Sequence, residues 1–438
     1  MKENHKVPFS ALGVTLAIGI VFGDIGTSPL YVMRAILNAL PAGQLTRPDY
    51  ILGAVSCVIW TLTIQTTLKY VIITLRADNK GEGGILSLYA LVRQKYRWAY
   101  VLAGLGAATL LADGIITPAM TVMSAVEGLN TIAPHIPVIP VTIAIVLILF
   151  LVQPFGTGSL GKYFGPLMIA WFTMMAVMGM SQLVTDVTVL RAFNPMYAIN
   201  FLIAVPQTMI ILGAVFLCTT GAEALYSDLG HCGLKNIRVS WIYVKIALIV
   251  NYLGQAAWII NSHGKVTHDI NPFFAMMPEW FGLIGVMMAT IAAIIASQAL
   301  ISGSFTVISE AISLNIWPNV KIQYPTNIKG QLYIPSINHM MMVLCIIIIL
   351  TMQSSMKLEA AYGLAITLSM LMTSVLLFLY FMKNNRPLWF SIPLTLFFVV
   401  IEFSFFLANM QKFAHGGFVP IVIASILPVS YTHLRAHE

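Results

Sequence analysis

The chain alternates long apolar runs with short polar joins. A helix that crosses a bilayer needs about 20 mostly apolar residues. Runs of that kind fall near 10–40, 50–75, 98–129, 138–154, 158–183, 203–230, 237–260, 279–312, 337–356, 360–382, 387–409 and 417–429. The pattern predicts an all-α membrane protein with eleven full spans and a partial twelfth. Spans 1, 3, 6 and 8 are long and carry polar interruptions. The sharpest interruption is Gly23-Asp24-Ile25-Gly26-Thr27-Ser28-Pro29, with apolar sequence on both sides. A carboxylate and helix-breaking backbone are both costly within lipid. Their coincidence predicts a site where Asp24 and backbone carbonyls replace the water around a cation.

Composition agrees with a membrane chain. Hydrophobic residues make up 58% and charged residues 9%, with mean hydropathy +0.87; soluble domains carry about 25% charged residues. The net charge of +7 lies in short joins, with no aromatic-interleaved basic patch, which argues against nucleic acid as a partner. With the N-terminus placed inside, the inner joins hold fourteen Lys and Arg and the outer joins five (Arg47, Arg191, Lys265, Lys357 and Lys412). The positive-inside rule therefore predicts a cytoplasmic N-terminus, residues 1–9. Arg34, Lys69 and Lys245 fall within spans. Four scattered cysteines, Cys57, Cys218, Cys232 and Cys345, have neither metal nor disulfide spacing. The short polar N-terminus does not read as a cleavable signal.

Span 6 repeats the pattern of span 1. Cys218-Thr219-Thr220-Gly221-Ala222-Glu223 places glycine and hydroxyls beside a second acid at mid-span. Interrupted helices at matching places in two halves point to a transporter site near the bilayer midplane. If spans 1–5 and 6–10 are inverted repeats, Asp24 and Glu223 face each other. Acids in both breaks favour a cation over an anionic substrate, and carbonyls, hydroxyls and carboxylates suit a monovalent ion. Span 3 adds Asp113, Thr117 and Thr121 on one helix face. Tyr362 stands beside Gly363 in span 10, and Glu402 lies in an aromatic run of span 11. A plainer reading has Asp24 and Glu223 capping broken helices or pairing with Arg34 or Lys245. Glu127 and Asp228 read as solvated groups at the membrane edge. The pairs Gly19/Gly23 and Gly161/Gly165 read as helix packing.

The segment 76–84, RADNKGEGG, lacks the Gly-Lys-Ser/Thr of a phosphate loop and reads as a cytoplasmic turn before an interfacial helix over 85–97. No catalytic constellation stands out, so no enzyme and no cofactor are expected. The tail 430–438, SYTHLRAHE, resembles translated sequencing-adapter read-through, so the chain is expected to be cut short near Val429.

GDIGTSPLYV at 23–32, RADNKGEGGI at 76–85, ITPAMTVMSAVEGL at 116–129, TGAEALYSDLGH at 220–231, IASQALISG at 295–303, QLYIPSIN at 331–338 and AAYGLAIT at 360–367 together resemble the Kup (KUP/HAK/KT) potassium uptake permeases. The resemblance implies the amino acid–polyamine–cation superfamily (LeuT-like) fold. That fold has a first repeat over 10–183, an inverted second repeat over 203–382, and two further spans over 387–429. It implies K⁺/H⁺ symport across the bacterial inner membrane, with K⁺ and H⁺ as substrates and no cofactor. It implies K⁺-site roles for Asp24, Tyr31, Thr117, Thr121, Thr220, Glu223 and Tyr362. Proton coupling is expected at Asp113, Glu223 and Glu402. It also implies a cytosolic C-terminal domain, missing from this chain, and a homodimer of the full-length protein. Two positions depart from the family pattern. Leu111-Ala112 precede Asp113 where relatives often have Tyr-Gly, and Glu402 stands where some have Asp. A channel or uniporter, and a proton-coupled polyamine or amino-acid permease of the same fold, are the rival readings. No TVGYG-type filter supports a channel.

Overall fold

The computed structural model describes residues 7–155, 161–262, 266–268, 270–325, 332–413, 417–418 and 422. Span 12 and the tail 430–438 lie outside the described residues, apart from isolated positions of span 12. Among the described residues the regular elements are helices, apart from two isolated bridges, Asn79 with Glu82 and Gln323 with Tyr333. Helices α1 (Ala11–Ile20), α2 (Gly23–Thr27) and α3 (Val32–Ala39) form span 1, and α4 (Pro48–Thr61) begins span 2. Next come α5 (Ile85–Val92), α6 (Tyr100–Val126), α7 (Val138–Val152), α8 (Gly161–Leu183) and α9 (Pro195–Ala204). Span 6 is α10 (Thr208–Phe216) with α11 (Ala222–Ser227), followed by α12 (Leu229–Cys232) and α13 (Leu234–Asn261). The chain continues through α14 (Pro272–Ala275), α15 (Glu279–Ser313), α16 (Pro335–Met352), α17 (Ser355–Lys383) and α18 (Leu388–Met410).

Among the described residues, ten helices are long and apolar enough to cross a membrane. Two bent pairs could raise that number to twelve. The pair Ala11–Ile20 with Gly23–Leu30, bent by 62°, is the broken first span that the sequence predicts. The other, Val187–Phe193 with Pro195–Ala204, bends by 83° where the sequence suggests only a loop and the start of span 6. Asn194 explains that corner: its side chain caps Met196 N at 3.0 Å, and Pro195 opens the new helix.

The layering suits lipid. Helix α6 packs against α15 and α17, and α8 packs against α1 and α13. Only 22% of the apolar stretch of α18 is buried, against 72% in span 6, so α18 lies at the rim and span 6 at the centre. Rim helices expose Ile148, Leu151, Ile242 and Phe403, as apolar solvent requires. Exposed Trp98, Trp280 and Trp389 stand at helix ends, where amphipathic rings favour the interface. Small residues let the central helices touch. A Cβ on Gly19 would stand 2.5 Å from Gly165 N, so these two glycines mark a backbone-to-backbone contact between α1 and α8.

Two elements differ from the sequence reading. Helix α5 covers Ile85–Val92, shorter than the expected 85–97, and buries Ile85, Leu86, Leu88 and Val92 against α6 and α17. The second half of span 2, Leu62–Ile73, is π-helical over 12 residues; π turns are usually single and cluster at functional sites. Its loosened backbone is held from outside. The Arg238 guanidinium donates to the carbonyls of Val71 and Ile72 at 3.0 and 3.1 Å, and Thr74 Oγ1 donates to Lys69 O at 2.8 Å.

Candidate ion site

Span 1 bends at Val21–Phe22, just before Asp24, without unwinding. Phe22 leaves helical geometry at φ −104, ψ 12; a short helix and a 3₁₀ turn follow; Tyr31 makes the second kink at φ −132, ψ −25. The sequence predicts free carbonyls at this break as cation ligands. In the fold the carbonyls of Asp24, Ile25, Gly26, Pro29 and Leu30 each accept a side-chain donor, from Thr27, Ser28, Trp171, Gln255 and Asn271 respectively. Buried backbone oxygens need such partners. One side-chain oxygen at the break is left open: Tyr362 donates to Asp24 Oδ1 at 2.8 Å, while Asp24 Oδ2 is buried with no hydrogen-bond partner.

Span 6 breaks fully. The backbone is extended at Thr220 (φ −54, ψ 141) and left-handed at Gly221 (φ +86). Only glycine adopts that turn freely. A Cβ there would also lie 2.9 Å from Ile25 N and 3.1 Å from Asp24 Oδ2. Gly221 thus brings the two breaks into contact. Tyr31 and Thr220 share a hydroxyl contact at 3.0 Å, and the rings of Tyr31 and Tyr362 meet edge-on at 6.3 Å. Asp24, Tyr31, Thr220 and Tyr362, drawn from spans 1, 6 and 10, therefore form one buried cluster of oxygens.

The span 3 residues border it. Thr117 donates to Asp113 Oδ1 at 2.9 Å. Asp113 and Glu223 line one small cavity together with Thr109, Gly221 and Ser369. A second cavity joins Asp24 to Ser227, Asp228 and Ser304. Thr121 stands apart: it donates to Thr117 O at 2.7 Å and meets Ser297 at 3.3 Å. Glu223 accepts from Tyr70 on one oxygen and from Thr373 at 3.2 Å on the other. Glu402 is farther off, paired with Lys69 and Ser374. Among the described residues no three His, Cys, Asp or Glu side chains gather as a metal cage.

Several plainer expectations are corrected. Arg34 does not pair with Asp24. Its guanidinium binds Glu127 at 2.7 Å, touches Ser355 Oγ and lies 3.6 Å from Glu359. Glu127 is therefore not merely solvated: it also accepts from Ser355 N at 3.0 Å and Ser355 Oγ at 2.6 Å. Asp228 lines the Asp24 cavity. The buried Lys69 and Tyr70 received no role from the sequence. An intramembrane lysine is itself the signal that could have drawn attention to them.

Spanning helices packed around a buried cluster of carboxylate and hydroxyl oxygens define an integral membrane protein. The family model described as the K⁺ potassium transporter integral membrane domain matches residues 11–436. A probable potassium transport system protein Kup of Flavobacterium psychrophilum is 55% identical over 422 residues, covering 95% of this chain and 64% of that protein. The corresponding protein of Cytophaga hutchinsonii is 53% identical, over 97% of this chain and 65% of its own length. The chain belongs to the Kup potassium transporter family and spans about two thirds of the length of these relatives. Among solved structures, an Eremococcus coleocola manganese transporter aligns with 98% of this chain and 95% of its own. Its identity is 12% and its TM-score 0.46, a likeness too loose to carry an argument.

Proposed function

We propose that the full-length protein takes up K⁺ across the bacterial inner membrane by symport with H⁺, through alternating access. The observation that carries this reading is the unpartnered Asp24 Oδ2, buried among the hydroxyls of Tyr31, Thr220 and Tyr362 between two broken spans. A monovalent cation fits such a set: one negative charge, neutral oxygens, and no stronger donor in place. Thr117, Thr121 and Glu223 extend the K⁺ path on either side of the cluster. The fold read here is five-plus-five inverted repeats with two further helices, the N-terminus cytoplasmic.

Proton coupling follows from charge. In low dielectric a bare carboxylate is costly, and a cation nearby reduces that cost. Asp113 and Glu223 share a cavity next to the Asp24 cluster, so a proton on one of them and K⁺ at Asp24 influence each other. Separate acids for the two ions let a single state hold both, as cotransport requires. A membrane potential supplies about 2.3 kcal/mol per charge per 100 mV, and the cotransported proton adds its own gradient.

The test is Rb⁺ uptake into proteoliposomes under an imposed pH gradient, with the full-length protein and Asp24→Asn in parallel. Uptake is expected to grow with inward proton drive and to fall to background in Asp24→Asn. Uptake that follows voltage alone would point to a channel or uniporter. Inhibition by putrescine with no Rb⁺ uptake would point to a polyamine permease.

A further inference from the structure

Lys245 stands in the middle of α13 and pairs with neither Asp24 nor Glu223. An ionisable side chain at membrane depth is costly unless a partner or a use offsets it. At about 100° per residue, Lys235, Arg238, Ile242, Lys245 and Ile246 share one face of α13. Ile242 and Ile246 are exposed, so this face looks onto lipid. A rise of about 1.5 Å per residue sets Lys245 about 10 Å beyond Arg238 along the helix. Helical side chains lean toward the N-terminus, so the long stem of Lys245 runs back toward Arg238, not deeper into the bilayer.

The π-helical stretch Leu62–Ile73 closes one side of this face. Trp241 Nε1 donates to Thr67 Oγ1 at 2.9 Å, and Arg238 uses Nε and Nη2 on the carbonyls of Val71 and Ile72. Three of the five guanidinium N–H groups remain, on a side chain that is only partly buried. Leu68 and Ile72 are exposed alongside it. The turn that follows the stretch ends at Arg76, whose charge bears on Arg238. Asp78 does not relieve the two: it accepts from Gly81 N at 2.9 Å in its own turn. Among the described residues, the side chains of Arg76, Lys235 and Lys245 have no ion-pair or hydrogen-bond partner. The seam between α13 and the π-helical stretch thus gathers four positive charges beside an apolar wall.

We propose that this seam binds an anionic phospholipid, with the phosphate on Arg76, Arg238 and Lys245 and the acyl chains along the exposed Leu68, Ile72, Ile242 and Ile246. Charge complementarity selects the class: basic pockets between spans suit anionic headgroups. A choline or ethanolamine headgroup brings a positive charge into a seam that is already positive, whereas a glycerol headgroup leaves the charge of the phosphate uncompensated. Lys235, one turn before Arg238, faces the headgroup layer. The positive-inside count predicts that this is the inner leaflet. A phosphate here offsets the repulsion between Arg76 and Arg238 and keeps Arg238 on the Val71 and Ile72 carbonyls. The winding so held carries Lys69 and Tyr70, both buried, and Tyr70 donates to Glu223. Lipid composition thereby reaches the ion path through span 2, whichever way transport is driven.

The experiment is native mass spectrometry of the full-length protein in detergent, titrated with dioleoyl phosphatidylglycerol or dioleoyl phosphatidylcholine. The wild type should bind the glycerol lipid more tightly. The double variant Arg76→Gln with Lys245→Met keeps Arg238 on the π-helical stretch and should bind that lipid about tenfold more weakly. Lys321→Gln, which removes an exposed charge on the join before α16, should bind it as the wild type does. Equal binding of the two lipids by the wild type, unchanged binding by the double variant, or an equal loss in Lys321→Gln overturns the proposal. Displacement of the lipid by inorganic phosphate, but not by chloride of the same ionic strength, would assign the seam to a free anion, and the lipid site falls. Thermal unfolding gives a second reading: the glycerol lipid should raise the unfolding temperature of the wild type more than the choline lipid does, and the double variant should lose that difference. A difference that survives in the variant places the lipid elsewhere. Should the double variant not fold, Arg76→Gln alone decides, because Arg76 is exposed and unpaired; its affinity should fall about fivefold, and an unchanged affinity overturns the site.

Discussion

At the scale of residues, the site divides between groups whose expense is visible in sequence and groups whose role depends on a partner. Asp24 and Glu223 are legible because a carboxylate within an apolar run has few structural uses. Tyr31 and Tyr362 resemble packing aromatics until their hydroxyls are located, and the family pattern, not periodicity, singles them out. The Tyr362 hydroxyl supplies the only hydrogen bond found on the Asp24 carboxylate among the described residues. A hydrogen bond to a charged group contributes about 1.5–3 kcal/mol. Tyr362→Phe deletes that oxygen and leaves the ring that meets Tyr31. The expected outcome is a Rb⁺ KM raised about tenfold with thermal unfolding unchanged. An unchanged KM would remove Tyr362 from the site.

At the scale of elements, hydrophobic length locates spans well and polar breaks poorly. The first span carries its bend where glycine, Asp24 and Pro29 stand, but serine and threonine hydroxyls and side chains from α8, α13 and the segment before α14 occupy the carbonyls that an unwound helix would free. Those donors come from residues up to 241 positions away, so no local pattern reveals them. The π-helical half of span 2 is equally hidden, because its cause includes Arg238 on another helix. The same holds at the opposite end of the core. Glu127 follows α6, Arg34 sits on α3 and Ser355 opens α17, and the three close on one another. This polar knot ties one end each of spans 1, 3 and 10 together, two turns of α17 from Tyr362. Removing one partner of a buried charge pair costs about 3–5 kcal/mol. Glu127→Ala should therefore lower the thermal unfolding temperature in detergent clearly more than Glu127→Gln, which keeps an acceptor for Ser355 N. Equal, negligible shifts for both would mean the knot does not hold the three ends.

At the scale of the whole molecule, the order of the spans is readable because bilayer thickness sets one length for all of them, while the described residues hold ten spanning helices, or up to twelve with the bent pairs. Sidedness is readable only as a count of charges. The fold supplies the two ends that the count must choose between. Helix α17 runs from Ser355, inside the Glu127 knot, to Lys383, which donates to Leu91 O next to the join before α6. Lys357 and Lys95 are exposed near these opposite ends, and all four native cysteines are buried, which favours low background labelling. The bias of fourteen basic residues against five predicts a cytoplasmic Lys95 end. Lys95→Cys should therefore react with a membrane-impermeant maleimide in inside-out vesicles and not in right-side-out ones, and Lys357→Cys should do the reverse. The opposite result would invert the molecule. The cavity joining Asp24 to Asp228, close to the Ala77 join that Tyr226 binds, would then lie on the outer side of the Asp24 cluster.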